Sequence, residues 1–113
     1  MSKVEQLVES ISAINGITKL VIASRDGTIV SKQGVKGDQF GNLILFVGMS
    51  TEQMRTLMGF NGPNYVIMNQ SGGEKLVVLN GPKFILGIEI GSTVSPTMII
   101  DSIKPVLNRI STT

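Results

Sequence analysis

The segment from Asp38 to about Met58 is predicted to form one long helix, and residues 38–60 carry apolar side chains on more than one face of it. At about 100° per residue, one face of this helix carries Phe40, Ile44, Val47, Met54 and Met58, and Leu43 lies at the margin of that face. A second arc holds Phe46, Met49, Leu57 and Phe60, and Leu45 lies outside both sets. Leaving the second arc in water would forgo on the order of 6–12 kcal/mol of burial, which is comparable with the whole stability of a small domain. The first face is therefore predicted to pack on the core, and the second arc needs another cover.

Two covers are compatible with this pattern. The helix is either central and wrapped by its own chain, or it is covered by a second copy, most simply in a two-fold dimer. Only two other helices are predicted, which favours the dimer. The uncharged segment Tyr65-Val66-Ile67-Met68 fits the same interpretation, because such a strand at a sheet edge would have nothing to prevent pairing with another chain. A central position for this strand is the alternative.

The residues before the long helix predict a helix followed by a β-hairpin. Ser2 and Glu5 have the spacing of a capping box at the start of this helix, and Asn15-Gly16 is predicted to end it. Leu20–Ala23 and Ile29–Ser31 have the composition of strands. The dipeptide Asp26-Gly27 between them predicts a two-residue hairpin turn, and Asp38 is the predicted N-cap of the long helix.

Three strands and a final helix are predicted after the long helix. The strands are Tyr65–Met68, Lys75–Leu79 and Phe84–Ile90, separated by glycine-containing turns that indicate an antiparallel meander. Leu76–Leu79 is apolar on both faces, so we expect it to be covered on both. Ser95-Pro96 begins the last helix, whose buried stripe and internal proline are Ile99, Ile103, Leu107, Ile110 and Pro105. The chain is therefore predicted to be α+β, with about five strands and three helices.

The residue types that the chain lacks exclude several kinds of catalysis. It contains no histidine and no cysteine, so Ser-His-Asp and Cys-His nucleophiles, ordinary zinc sites and disulfides are impossible. It also lacks the glycine-rich loops that bind nucleotide phosphates, and its acidic residues are scattered. A Ser-Lys dyad would need a motif that the chain does not show. We predict no enzyme activity and no catalytic, cofactor-binding or metal-binding residues.

Charge and hydropathy also argue against nucleic-acid binding and against a membrane-spanning segment. Lys19, Arg25, Lys32 and Lys36 surround the first hairpin, but the net charge is only +2 and aromatic residues make up 4% of the chain. Nucleic-acid binding would need more aromatic platforms, so a solvated basic rim is expected. The longest apolar run, residues 43–47, is too short to span a bilayer, and the N-terminus does not resemble a signal peptide. A cytoplasmic protein is expected.

Over essentially its whole length, 1–113, the chain resembles the roadblock family of dynein light chains and small-GTPase regulators. The resemblance lies in the order of the elements and in the segments Asn15-Gly16-Ile17, Val21-Ile22-Ala23-Ser24-Arg25-Asp26-Gly27, Tyr65–Met68, Lys75–Leu79 and Phe84–Ile88. It implies a single roadblock-like domain with a profilin-like architecture. In that architecture a five-stranded antiparallel sheet has the first and last helices on one face and the long helix on the other.

The resemblance also implies two interaction surfaces. Subunits of the family pair through the third strand and the long helix, which assigns the dimer interface to Phe46, Met54, Leu57, Tyr65, Val66, Ile67 and Met68. The partner-binding residues implied on the long helix are Leu45, Met49, Glu52, Gln53, Arg55 and Thr56. Arg55 is expected to pair with Glu52 at i,i+3; an arginine finger that reaches a nucleotide is the less favoured interpretation.

The function implied is that of a non-enzymatic homodimer that binds a Ras-like small GTPase through its paired long helices. One alternative is a scaffold or adaptor subunit of a motor or signalling complex without GTPase regulation. A small-ligand sensor is disfavoured, because the space between sheet and helix is expected to be filled by apolar side chains. Gly41 and Gly48 are hypothesised to let the two long helices of a dimer approach closely.

Overall fold

The computed structural model describes residues 2–59, 65–81 and 83–112. Within these residues the elements follow the predicted order. They are α1 (Lys3–Ser12), β1 (Ile17–Ser24), β2 (Ile29–Gln33), α2 (Gln39–Met58), β3 (Tyr65–Asn69), β4 (Lys75–Asn80), β5 (Phe84–Ile90) and α3 (Pro96–Thr112). Phe60 and the side chain of Ile110, for which burial was predicted, lie outside what is described. The predicted α+β class is confirmed.

Two of the three described helices begin at a residue whose side chain caps the helix N-terminus. The Ser2 hydroxyl accepts the Glu5 N–H at 3.1 Å, and the Glu5 carboxylate accepts the Ser2 N–H, which completes the capping box. The Ser95 hydroxyl accepts the Met98 N–H at 3.4 Å. Asp38 occupies the N-cap position of α2, but its carboxylate makes no capping bond; it lies 3.4 Å from Lys32 Nζ instead. The position of this cap was predicted correctly and its role was not.

The turn between β1 and β2 differs from the predicted two-residue hairpin. The Ser24 N–H donates to the Thr28 carbonyl at 2.8 Å, and the Gly27 N–H donates to the Ser24 carbonyl at 3.1 Å. Gly27 has φ +99°, whereas no non-glycine residue described has a positive φ. A type I′ turn needs positive φ at both central residues, so Asp26 excludes it. The loop is a three-residue turn closed by glycine, and Asp26 stabilises it by accepting the Thr28 N–H at 3.0 Å.

The sheet places β3 at one edge. Its order is β2-β1-β5-β4-β3, and all neighbouring pairs are antiparallel. The meander of β3, β4 and β5 is therefore confirmed. Of the two positions open for the uncharged strand, the edge position is the one observed.

Helices cover the sheet on both faces. The side chains of α1 and α3 pack with Leu20, Ile22 and alternate residues of β4 and β5 on one face. On the other, Ile44 of α2 packs with Val21, Ala23 and the remaining alternate residues. Leu76–Leu79 is at most 3% exposed, as expected for a strand covered on both faces.

One carboxylate is buried in the sheet. Glu89 accepts hydrogen bonds from the Thr18 hydroxyl at 2.8 Å and the Gln70 amide at 3.0 Å, and it lies 3.3 Å from Lys19 Nζ. Burial alone would raise the pKa of Glu89, but these three partners outweigh it and hold the pKa below its ordinary value. The charge is therefore part of the folded structure.

Candidate functional site

The inward face of α2 is formed largely by glycine. Gly41, Ile44 and Gly48 are its buried residues. A Cβ at Gly48 would lie 2.7 Å from Ile85 Cγ2, so the helix backbone itself contacts the sheet there. At Gly41 a Cβ would overlap the Ile29 side chain. The hypothesis that these glycines serve helix–helix approach in a dimer is wrong, because both face the sheet of their own chain.

This packing corrects the predicted core stripe. Ile44 is buried and Phe40 and Val47 are half-buried, but Met54 and Met58 are exposed, at 56% and 61%. The prediction followed the large apolar side chains, whereas the helix is oriented by glycines that have no side chain. The inward direction is consequently rotated toward Gly41 and Gly48.

The outer face of α2 is strongly apolar and uncovered in the single chain. We define it by Leu43, Phe46, Met54, Leu57 and Met58. Phe46 is 70% exposed and Leu57 85%. Side chains of this kind are ordinarily buried, and several of them exposed on one helix face indicate an interaction surface. The prediction that Phe46 and Leu57 lack cover within their own chain is confirmed for the described residues.

The helix that carries the outer face also contacts the strand at the open edge of the sheet. The helix crosses from β2, where Gly41 meets Ile29, to β4, where Gly48 meets Asn80, and it also contacts β3. Along β3, Ile67 is exposed, while Tyr65, Val66 and Met68 are half-buried. An edge strand presents unpaired N–H and C=O groups that can pair with another strand. The seven residues predicted for the dimer interface thus lie on one helix face and one neighbouring strand.

A cleft of about 470 Å³ opens beside the outer face. It lies between the second half of α2, the turn that joins β1 to β2, and the adjoining ends of β4 and β5. Its lining is Arg25, Gly48, Met49, Glu52, Gln53, Thr56, Leu57, Asn80 and Ile85. Met49, Glu52, Gln53 and Thr56, four of the six predicted partner-binding residues, line this cleft together. Leu45 instead packs half-buried against the core, and Arg55 lies outside the lining.

An ion triad borders the cleft. Glu52 Oε1 lies 2.8 Å from Arg55 Nη2 and 3.1 Å from Arg25 Nη2. The Arg55 hydrogen bond, supported by Arg25, holds the pKa of Glu52 below its ordinary value despite partial burial. The predicted pairing of Arg55 with Glu52 is confirmed. Because Arg55 is held by this carboxylate, a role as arginine finger would require the pair to separate.

Two residues of this region were not singled out for the site from the sequence. Arg25 comes from the β1–β2 turn and also donates to the Gly81 carbonyl at 2.7 Å. Asn80 donates to the Gly48 carbonyl at 3.0 Å and thereby fastens the helix to β4. The sequence predicts Arg25 as part of a solvated basic rim, whereas the structure pairs it with Glu52 and the Gly81 carbonyl. No local pattern links either residue to α2, because each is distant from it in the chain.

Among residues 2–59, 65–81 and 83–112 there is no group of three acidic side chains that could hold a metal ion. In the same part of the chain, no helix is long and apolar enough to cross a membrane.

Comparison with solved structures identifies the fold. The Roadblock/LC7 domain from Streptomyces avermitilis superposes with a TM-score of 0.73 at 16% identity, over 91% of this chain and 89% of that one. MglB from Myxococcus xanthus gives 0.72 at 12% identity, over 95% and 80%. Profilin II from Acanthamoeba castellanii gives 0.61 at 14% identity, over 94% of both chains. No protein-family model and no curated protein matches the sequence. The profilin-like roadblock architecture is confirmed as a likeness of fold.

Proposed function

We propose that this protein is a non-enzymatic homodimeric regulator or adaptor that binds a Ras-like small GTPase. The observation that carries the proposal is the outer face of α2, which is apolar and exposed, on a helix that contacts the open edge strand β3. The family resemblance of the sequence and the likeness of fold to roadblock structures support the same function. We further propose that residues 1–113 act as one roadblock-like domain in the cytoplasm.

The dimer would form by joining two copies of β3 and two copies of the outer face around a two-fold axis. Antiparallel pairing of the two strands would satisfy their free backbone groups and extend the sheet from one subunit into the other. The same association would cover Phe46, Met54 and Leu57, which are exposed in the single chain. Both features are consistent with one partner of identical sequence.

The GTPase would contact the flank of α2 that lines the cleft. Met49 supplies apolar contact there, and Gln53 and Thr56 supply exposed polar groups. A surface of fixed geometry can discriminate between the two arrangements of a GTPase's switch loops. In this mechanism the helix pair selects one nucleotide state without taking part in the chemistry.

The dimer is tested by sedimentation equilibrium of the purified chain over a wide concentration range. We expect a reversible monomer–dimer equilibrium. A species that remains at 12.1 kDa at every concentration would refute the dimer.

The GTPase is tested separately. Affinity capture from the native cell identifies the candidate, which is then purified and loaded with GDP or a non-hydrolysable GTP analogue. We expect the two nucleotide states to differ in affinity by about tenfold or more, because a partner that binds both equally cannot read the switch. Met49→Glu should abolish binding, whereas Met98→Glu, at an exposed position of α3, should not.

A tight complex with equal affinity for both states would favour the alternative, a scaffold or adaptor without GTPase regulation. Capture of no GTPase, together with stable capture of another protein by the wild type and not by Met49→Glu, would do the same. The two tests are independent, since the dimer is measured on the chain alone.

A further inference from the structure

The sulfur chemistry of this chain is confined to methionine. It has six methionines and no cysteine. Met54 and Met58 lie one turn apart on the outer face of α2, with exposed fractions of 56% and 61%. Met98 is 70% exposed on α3. Two accessible thioethers are thus placed in the surface proposed to associate. Met49, which is 44% exposed, lines the cleft beside that surface, and Met98 lies on α3, which packs on the opposite face of the sheet from α2.

We propose that Met54 and Met58 form an oxidation-sensitive modification site that controls dissociation of the homodimer. The oxidant is a peroxide, by class. One oxygen atom of the peroxide is transferred to the thioether sulfur, the O–O bond breaks, the sulfur is oxidised by two electrons to a sulfoxide, and the peroxide is reduced to water or an alcohol. The inference rests on the proposed dimer.

The position of these residues explains why oxidation would matter. A sulfoxide replaces a flexible apolar group with a polar one that needs a hydrogen-bond donor. Met54 has Leu57 and Met58 as its neighbours one turn further along the same helix, and neither can donate. In the single chain water satisfies the sulfoxide oxygen, but burial in the dimer would remove that water at a free-energy cost. Oxidation therefore favours the separated chains.

Dimerisation would in turn slow the oxidation. If the two thioethers are buried in the dimer, peroxide attacks them mainly in the monomer, and their oxidation rate falls as protein concentration rises. Met98, on α3, should oxidise at a rate that does not depend on concentration. The ratio of the oxidation rate of Met54 and Met58 to that of Met98 in one sample thus measures how far the dimer protects the two residues from peroxide.

The experiment treats the purified wild-type chain with hydrogen peroxide and follows each methionine by peptide mass spectrometry and the dimer by sedimentation equilibrium. We expect the dissociation constant to rise by about 1000-fold or more after oxidation, because each two-fold dimer buries four sulfoxides and each unsatisfied acceptor weakens association by roughly fivefold or more. Treatment with methionine sulfoxide reductases should restore the dimer. The thermal melt of the oxidised monomer should match that of the unoxidised monomer, since both side chains are exposed in the single chain.

Two variants locate the effect. The double variant Met54→Leu, Met58→Leu removes both thioethers, so its own dissociation constant should be the same before and after peroxide treatment. Met98→Leu should respond like the wild type. A double variant that still dissociates on oxidation overturns the assignment to these two residues.

The outcomes distinguish this inference from the proposed function. A wild-type dimer that persists when Met54 and Met58 are fully oxidised overturns the inference and leaves the dimer intact. An unoxidised protein that is monomeric at every concentration overturns the dimer and the inference together.

Discussion

Replacing Leu57 with alanine tests the outer face of α2 directly, because this side chain is 85% exposed in the single chain and contributes little to its folding. Complete burial of a leucine side chain is worth about 1.5–3 kcal/mol. Alanine retains the β-carbon, so the variant loses about 1–2 kcal/mol of that burial per copy. A two-fold dimer contains two copies, which makes the loss about 2–4 kcal/mol and raises the dissociation constant about 30- to 1000-fold.

The assay is sedimentation equilibrium of the wild type, Leu57→Ala and Met98→Ala. Met98→Ala removes an equally accessible apolar side chain from α3, so it controls for a general loss of surface hydrophobicity and should leave the dissociation constant unchanged. Thermal melts at concentrations where all three chains are monomeric should agree. A wild-type dimer whose dissociation constant changes by less than about threefold in Leu57→Ala would refute the reasoning, because the predicted loss is at least tenfold larger.

Three further predictions concern the packing and the charges. Gly48→Ala should lower the free energy of unfolding by about 1–3 kcal/mol, because its Cβ would lie 2.7 Å from the buried Ile85. This loss is expected despite the better helix propensity of alanine. Urea unfolding measures the change, and an increase in stability would contradict the prediction. The pKa of Glu89 is lowered in the folded state, so its contribution to stability is present above about pH 4.3 and is lost as the pH falls through the folded pKa. Unfolding at neutral and acid pH should therefore show a smaller acid loss for Glu89→Gln than for the wild type, and equal losses would exclude this role. Arg25→Ala should raise the pKa of Glu52, because it removes one of the two cationic partners of this carboxylate. A carboxyl-carbon NMR titration measures this pKa. An unchanged pKa would mean that Arg55 is the only cation that lowers it.

Much of the fold can be predicted because it depends on local patterns. The capping box at Ser2 and the Ser95-Pro96 start use residues that are neighbours in the chain, so spacing is enough to locate both helix starts. The buried strand at 76–79 is recognisable from its unbroken apolar run. The excess apolar surface of the long helix can be predicted for a similar reason. The helix carries more large apolar side chains than one face can bury, whatever the fold.

The direction in which that helix faces is a property of the tertiary structure. Gly41 and Gly48 have no side chain and add nothing to a hydrophobic pattern, yet they mark where the backbone approaches the sheet most closely. This is why Met54 was predicted to be in the core and is found on the surface. A hydrophobic stripe is recognised from large apolar side chains alone. The orientation of the packed helix also depends on where its backbone can approach the sheet.

The sequence by itself determined the type and order of the elements and the presence of an apolar surface without cover. Only the tertiary structure decided that the strand at Tyr65 is an edge, that Arg25 reaches Glu52, and that Asn80 fastens α2 to the sheet. The physical reason is the range of the forces involved. Capping and periodicity act between residues a few positions apart, but an edge or an ion pair between distant segments exists only after the whole chain has packed.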